Sequence, residues 1–350
     1  MKSFTGLRSE WQKHIFSFGL SLLMCPSGVV AQEQSQKLPP TQSAIQQIKK
    51  AVVFIVGGQL VNGIPASTAG TGFLVFLPEP KLGSDRGLVW IVTCDHVLRA
   101  PQPDGNPGPY YPSVLVRYNT LKPDASGLRE FDWIQIPVLD GKGNFLWYQD
   151  PTDPSADIAM TLIPIDMRVA DVKWLPLAMF LDKEQLKKQA IDENDEILFT
   201  GLFDWDPGSR KNYPIVRHGK IALIPEERVP LARGADPPTA EIYLAEVTSF
   251  GGNSGSPVFV RLGGVRETLS GPTLTGYSYY LLGVMKGFFP EAAPVAVETK
   301  ISQGISAQNS GIAMVVPAFK IQAILASPAV RARVDEIAQT EGQKPAPKPK

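Results

Sequence analysis

The stretch Phe250-Gly251-Gly252-Asn253-Ser254-Gly255-Ser256-Pro257 sets three glycines around one serine and closes on a rigid Ser-Pro exit. Glycine tolerates positive φ and lets other backbone approach closely. The turn is therefore expected to leave the Ser254 hydroxyl clear of neighbouring side chains, with the N–H groups of Gly252 and Ser254 converging on one point. Two donors so placed can stabilise an oxyanion. The apolar Val258-Phe259-Val260 that follows reads as a strand, which makes this more than a bland glycine-rich hairpin.

Working outward, the apolar run Gly87-Leu88-Val89-Trp90-Ile91-Val92 ends in Thr93-Cys94-Asp95-His96-Val97, so an imidazole is expected at the mouth of a buried strand. Between the two lies Ala156-Asp157-Ile158-Ala159-Met160. Asp150 and Asp153 precede it in a proline-rich loop and read as solvated, whereas Asp157 alone opens an apolar strand. A carboxylate there stays ionised only if hydrogen bonds hold it. Acyl transfer by a serine needs a base, a group that orients the base, and oxyanion donors; His96, Asp157 and Ser254 with Gly252 match those needs. His218, set between Arg217 and Lys220, reads as a strand-surface residue. Cys94 is next but one to His96, and it reads as a buried structural cysteine, with a nucleophilic Cys94 as the minor alternative.

Lys plus Arg and Asp plus Glu number 34 each, so no net field favours nucleic acid or an anionic membrane surface. With 43% hydrophobic and 19% charged residues the chain has material for a large core. Residues 1–31 read as a cleavable signal peptide: Lys2, Arg8 and Lys13 precede the apolar Ile15 to Met24, and Val29-Val30-Ala31 supplies the small residues of a cut after Ala31. Export to the periplasm or beyond is the expectation, with no stable membrane anchor, since spanning needs about 20 apolar residues.

Short Val-, Ile-, Phe- and Tyr-rich runs broken by the 31 glycines and 32 prolines predict an all-β chain. After an extension (32–50), about six strands fall in 51–181 and about six in 195–316, with a charged, locally helical connection over 182–194. Residues 317–340 have helical spacing, with a possible break at Pro328, and 341–350 read as a solvated tail. The expected architecture is two six-stranded antiparallel barrels with the site in the cleft between them, plus a C-terminal helix. After a cut behind Ala31 two histidines, His96 and His218, and one cysteine, Cys94, remain and show no metal-ligand spacing, so neither metal nor other cofactor is expected.

At this point the chain resembles the trypsin-like, chymotrypsin-fold serine peptidases, in particular the bacterial Deg-type catalytic domain. Gly70-Thr71-Gly72-Phe73-Leu74-Val75, Thr93-Cys94-Asp95-His96-Val97, Asp157-Ile158-Ala159 and Gly252-Asn253-Ser254-Gly255-Ser256-Pro257 carry the resemblance, which covers about Ala51 to Leu325. It implies a serine endopeptidase acting on polypeptides, with His96 as base, Asp157 as orienter, Ser254 as nucleophile, and the backbone of Gly252 and Ser254 as oxyanion donors. The rival expectation is a non-hydrolytic two-barrel module that binds peptide or protein. Cys94 departs from the family's alanine, and no PDZ module is expected in the short C-terminal region. Ile55-Val56-Gly57-Gly58 looks like an activation N-terminus, but the partner aspartate of such zymogens is replaced by Asn253, so no such clipping is expected. The resemblance further places Thr248 at the floor of the primary specificity pocket, the strand containing Lys286 and Phe288 along its wall, and Gly311 opposite. A neutral floor disfavours Arg and Lys and suits small or medium apolar side chains.

Overall fold

The computed structural model describes residues 30–32, 43–61, 64–102, 107–232, 234–268, 271–295 and 304–342. The residues read as a signal peptide, 30 and 31 excepted, and most of the tail lie outside them. The first half contains β1 (Val30–Gln32), α1 (Ala44–Lys50), β2 (Val52–Val61), β3 (Ile64–Pro78), β4 (Arg86–Thr93), β5 (Ser113–Asn119), β6 (Phe131–Pro137), β7 (Ala159–Leu162) and β8 (Leu175–Pro176). These strands form one sheet in the order β1-β4-β3-β2-β5-β6, with β7 on β4 and β8 on β3. The second half contains α2 (Lys183–Lys188), β9 (Glu196–Gly201), β10 (Ile215–Leu223), β11 (Val229–Pro230), β12 (Thr239–Ala240), β13 (Tyr243–Glu246), β14 (Pro257–Thr268), β15 (Gly271–Val295) and β16 (Gly304–Pro317), then α3 (Phe319–Ala326) and α4 (Pro328–Gly342). There β9, β10, β13, β16, β15 and β14 close into a six-stranded barrel.

The chain is thus mostly β, and among the described residues one closed barrel stands beside a curled sheet. In the first half the named strands form a sheet whose path ends at β6, and the segment between β6 and β7 carries Gly141, Gly143, Pro151 and Pro154, with aspartates that fold back on their own backbone as turns. Isolated bridges, Leu139 to Phe145 and Tyr148 to Met160, link the end of β6 to β7 through that segment.

Local sequence explains the rest. β4 is buried from Gly87 to Thr93 because β3 and β7 flank it and the core covers it. β5 alternates over Ser113 to Val116, burying Val114 and Val116, and then buries Arg117 and Tyr118 in succession. Asp182 and Gln185 form a capping box that starts α2. Pro328 cannot donate into the preceding turn, so α3 ends and α4 begins with proline at its first position. One apolar core joins Phe73, Trp90 and Ile91 to Phe259, Leu281 and Val316 and to Ile321, Val330 and Val334 of the C-terminal helices. At roughly 1.5–3 kcal/mol per fully buried large side chain, this shared core is what holds the two halves and the helices in register.

Candidate active site

His96 sits on a single 3-10 turn, Asp95–Leu98, that starts directly after β4. Asp157 lies two residues before β7, and β7 pairs with β4 through Thr93 and Ala159. That pairing brings the two side chains together. The imidazole Nδ1–H donates to Asp157 Oδ2 at 2.6 Å, and the His96 backbone N–H donates to Oδ1 at 3.0 Å. Both carboxylate oxygens are therefore taken by one residue, and the ring is left with Nε2 facing away from Asp157. The Asp157 side chain is 12% exposed and that of His96 42%.

Burial alone would push the Asp157 carboxyl up. The charge and hydrogen bonds of His96 and the Lys286 ammonium outweigh it, and the carboxyl is held well below the usual carboxylate range. For His96, desolvation opposes the imidazolium, but the charge and hydrogen bond of Asp157 overcome it and the net shift is upward. The Lys286 ammonium pulls the other way. It lies 3.6 Å from Asp157 Oδ2 and is largely buried.

Ser254 arrives from the closed barrel, in the turn before β14. Thr71 of β3 fastens it across the halves. The Thr71 N–H donates to Ser254 O at 2.8 Å, its hydroxyl donates to Gly252 O at 2.7 Å and accepts from Leu202 N at 2.8 Å, and its carbonyl accepts from Thr93 Oγ1 at 2.7 Å. Thr93 is the last residue of β4, three before His96. One buried threonine thus connects the serine turn to the strand that carries the histidine. Gly255 completes the fit: its φ is +86°, and a Cβ there would stand 1.9 Å from Thr71 O. Asn253 braces the turn from inside, accepting from Phe250 N at 2.9 Å and donating to Leu202 O at 2.6 Å.

Among the described residues, the amides of Gly252 and Ser254 have no acceptor. Gly252 has φ +88°, a conformation that glycine adopts without strain. The Ser254 hydroxyl donates to Lys286 O at 3.1 Å. Lys286 follows Met285, whose backbone pairs with Gly255 and Ser256 and whose carbonyl also accepts the Cys94 thiol at 3.2 Å.

Cys94 is fully buried, and burial followed by the nearby Asp157 charge pushes its thiol well up. A thiol kept protonated is a poor nucleophile and a poor metal ligand. Cys94, His96 and Asp157 place possible ligand atoms within 4.8 Å of one another, but the thiol is engaged with Met285 O and Nδ1 with Asp157.

The residues expected around a specificity pocket lie on or beside β13, β15 and β16, which are neighbours in the barrel. Thr248 lines an open cavity of about 450 Å³ with Phe203, Ile215, Val216, Arg217 and His218. Lys286 directs its ammonium to Asp157, Phe288 is half-buried on β15 opposite Ala313, and Gly311 accepts from Val247 N with φ +80°. His218 is exposed, and Ile55 to Gly58 lie within β2.

Asp150 and Asp153 correct the sequence reading, because both are buried rather than solvated. Lys320 of α3 brings its ammonium to 3.3 Å from Asp150, 2.9 Å from Asp153 and 3.0 Å from Glu241. Arg228 adds a second cation to Asp153. This cluster pins the loop that leads to Asp157. Sequence spacing gave no sign of it, since the lysine comes from α3, far along the chain. Thr71 offered a faint signal: a polar residue between two glycines inside an apolar strand.

No protein-family model and no curated protein matches the chain. Among solved structures it is similar to the Rv3671c protease from M. tuberculosis in its active form, at 16% identity and a TM-score of 0.41, over 85% of this chain and 87% of that one. It is also similar to AlgW, an HtrA-type protease with a serine-to-alanine substitution, in complex with a decapeptide. That match has 12% identity and a TM-score of 0.42, over 82% of this chain and 66% of that one.

Proposed function

We propose that this chain is a trypsin-like serine endopeptidase that hydrolyses polypeptides through His96, Asp157 and Ser254, in a cleft between the curled sheet and the barrel. The carrying observation is the double grip of His96 on Asp157, at 2.6 and 3.0 Å, while Thr71 and Thr93 tie the Ser254 turn to the same strand end. Catalysis begins when the Ser254 hydroxyl leaves Lys286 O and turns to His96 Nε2. The imidazole takes its proton as Oγ attacks the scissile carbonyl, and Asp157, kept ionised, stabilises the imidazolium without accepting the proton. The Gly252 and Ser254 amides receive the developing oxyanion. His96 then passes the proton to the leaving amine, and water repeats the sequence on the acyl-enzyme.

Thr248 is proposed as the neutral floor of the primary pocket. Arg217 on the same cavity repels basic side chains, so cleavage after Arg or Lys is disfavoured and apolar residues are preferred. Export through the N-terminal signal remains part of the proposal. No helix among the described residues is long and apolar enough to cross a membrane. Proteolysis profiling on a denatured proteome tests the reading. The chain is expected to produce new peptide termini, few of them after Arg or Lys, and Ser254→Ala is expected to produce none. Equal cleavage by both proteins would remove the serine mechanism.

A further inference from the structure

Lys286 touches both ends of the arrangement described above. Its carbonyl accepts the Ser254 hydroxyl at 3.1 Å, and its ammonium lies 3.6 Å from the Asp157 oxygen that His96 also binds. Both side chains are largely buried, 18% and 12% exposed, and Asp157 is the one carboxylate within ion-pair reach of Lys286 among the described residues. Bringing an ammonium and a four-carbon stem into such a site costs desolvation and rotamer freedom. A wall residue with an outward side chain would incur neither. The geometry divides Asp157 Oδ2 between the imidazole of His96 and the ammonium of Lys286.

We propose that Lys286 is a positioning residue for the acid–base pair. Its ammonium holds Asp157 ionised and in place, and it competes with the imidazolium for that carboxylate, setting how far down in pH His96 stays an effective base. The inference rests on the triad reading of His96, Asp157 and Ser254. The charged and titratable groups around the imidazole are Asp157 from the loop before β7, Lys286 from β15, and Asp95 on its own turn, with the buried Cys94 thiol beside Asp157. Asp95 is already occupied by Arg99, Tyr110 and Gln149. Lys286 is thus the cation whose removal leaves Asp157 to His96 alone. The direction follows: without Lys286 the imidazolium is better stabilised, and the acid limb of activity moves to higher pH.

The test is a pH titration of the His96 ring by NMR in the full chain carrying Ser254→Ala, with and without Lys286→Met. Alongside it, the pH profile of kcat/KM is compared for the chain with and without Lys286→Met. The ring midpoint is expected to rise by about half a unit or more on loss of the ammonium, and the acid limb of kcat/KM is expected to rise with it. Lys286→Arg is expected to restore both. If Lys286→Met does not fold, Lys286→Gln keeps a polar head without charge and reads the same shift. A His96 midpoint unmoved in the folded neutral variant overturns the proposal. Because the NMR arm needs no turnover, an inactive chain whose His96 midpoint still shifts would sink the peptidase reading while leaving the charge coupling intact.

Discussion

The Thr71 N–H donates to the carbonyl of Ser254 at 2.8 Å, joining the third strand of the open sheet to the serine turn of the closed barrel. The threonine hydroxyl makes two further buried contacts, to Gly252 O and Leu202 N. Thr71→Val keeps the shape and removes both. Each buried group left without a partner costs about 1–3 kcal/mol, so a loss of that order or more is expected in a urea melt. Thr71→Ser retains the hydroxyl and sheds one methyl, costing about 1 kcal/mol. Equal losses for the two variants would show that the methyl, not the hydroxyl, fastens the turn.

The shifts around His96 fix the sign of the pH dependence. Asp157 raises the imidazole above its ordinary value, so the base is lost to protonation as pH falls through a midpoint above about 6.5. The kcat/KM profile is expected to show that limb. Asp157→Asn removes the charge and the correct tautomer, and a fall of about 10⁴-fold is expected from what this substitution does in other triads. A profile flat from pH 5 to 8 would contradict the assignment of His96 as base.

Stability should follow the buried charges. Asp153 and Asp157 are both held below the ordinary carboxylate range, Asp153 against its own desolvation by Arg228, Ser155 and Lys320. Their contribution is present above the unfolded value of about 3.9 and is lost as pH falls below it. His96 runs oppositely: its contribution is present below about 6.5 and fades as pH rises through its folded value. Acid unfolding that steepens below about pH 4 is the expected result in a circular-dichroism titration.

Lys320 is the keystone of the cluster behind Asp157. Lys320→Met leaves Asp150, Asp153 and Glu241 facing one another without the cation that meets all three. Breaking a buried ionic group from one side typically costs about 3–5 kcal/mol. The chemical-denaturation midpoint should fall accordingly and recover in part at low pH, where the carboxylates take up protons. A midpoint within error of the unsubstituted chain would mean that the loop is held by packing alone.

Much of this was legible in the residues. Apolar runs such as Leu88 to Val92 and Val258 to Val260 fell on strands, and Pro328 divides the C-terminal helix. The motif around His96 and Asp157 put the two near strands that proved to be paired, because β pairing converts local apolar pattern into contact. How the first-half strands join was not legible, because an apolar strand looks the same in a continuous ladder and in one linked, as here between β6 and β7, by the isolated bridges Leu139 to Phe145 and Tyr148 to Met160. Buried Asp150 and Asp153 were misread because their cation lies on α3, and the aim of Lys286 was hidden because a strand residue's side chain can reach either neighbour of its face.

The central claim is that Ser254 is a nucleophile activated by His96, and the direct measurement is the site of covalent modification by a fluorophosphonate probe, read by peptide mass spectrometry on the purified full chain. One phosphonyl group on Ser254, absent from Ser254→Ala and slowed strongly by His96→Ala, is the expected result. No adduct under conditions that label an ordinary serine peptidase, or labelling that persists in Ser254→Ala, would contradict it and leave a peptide-binding module as the better account.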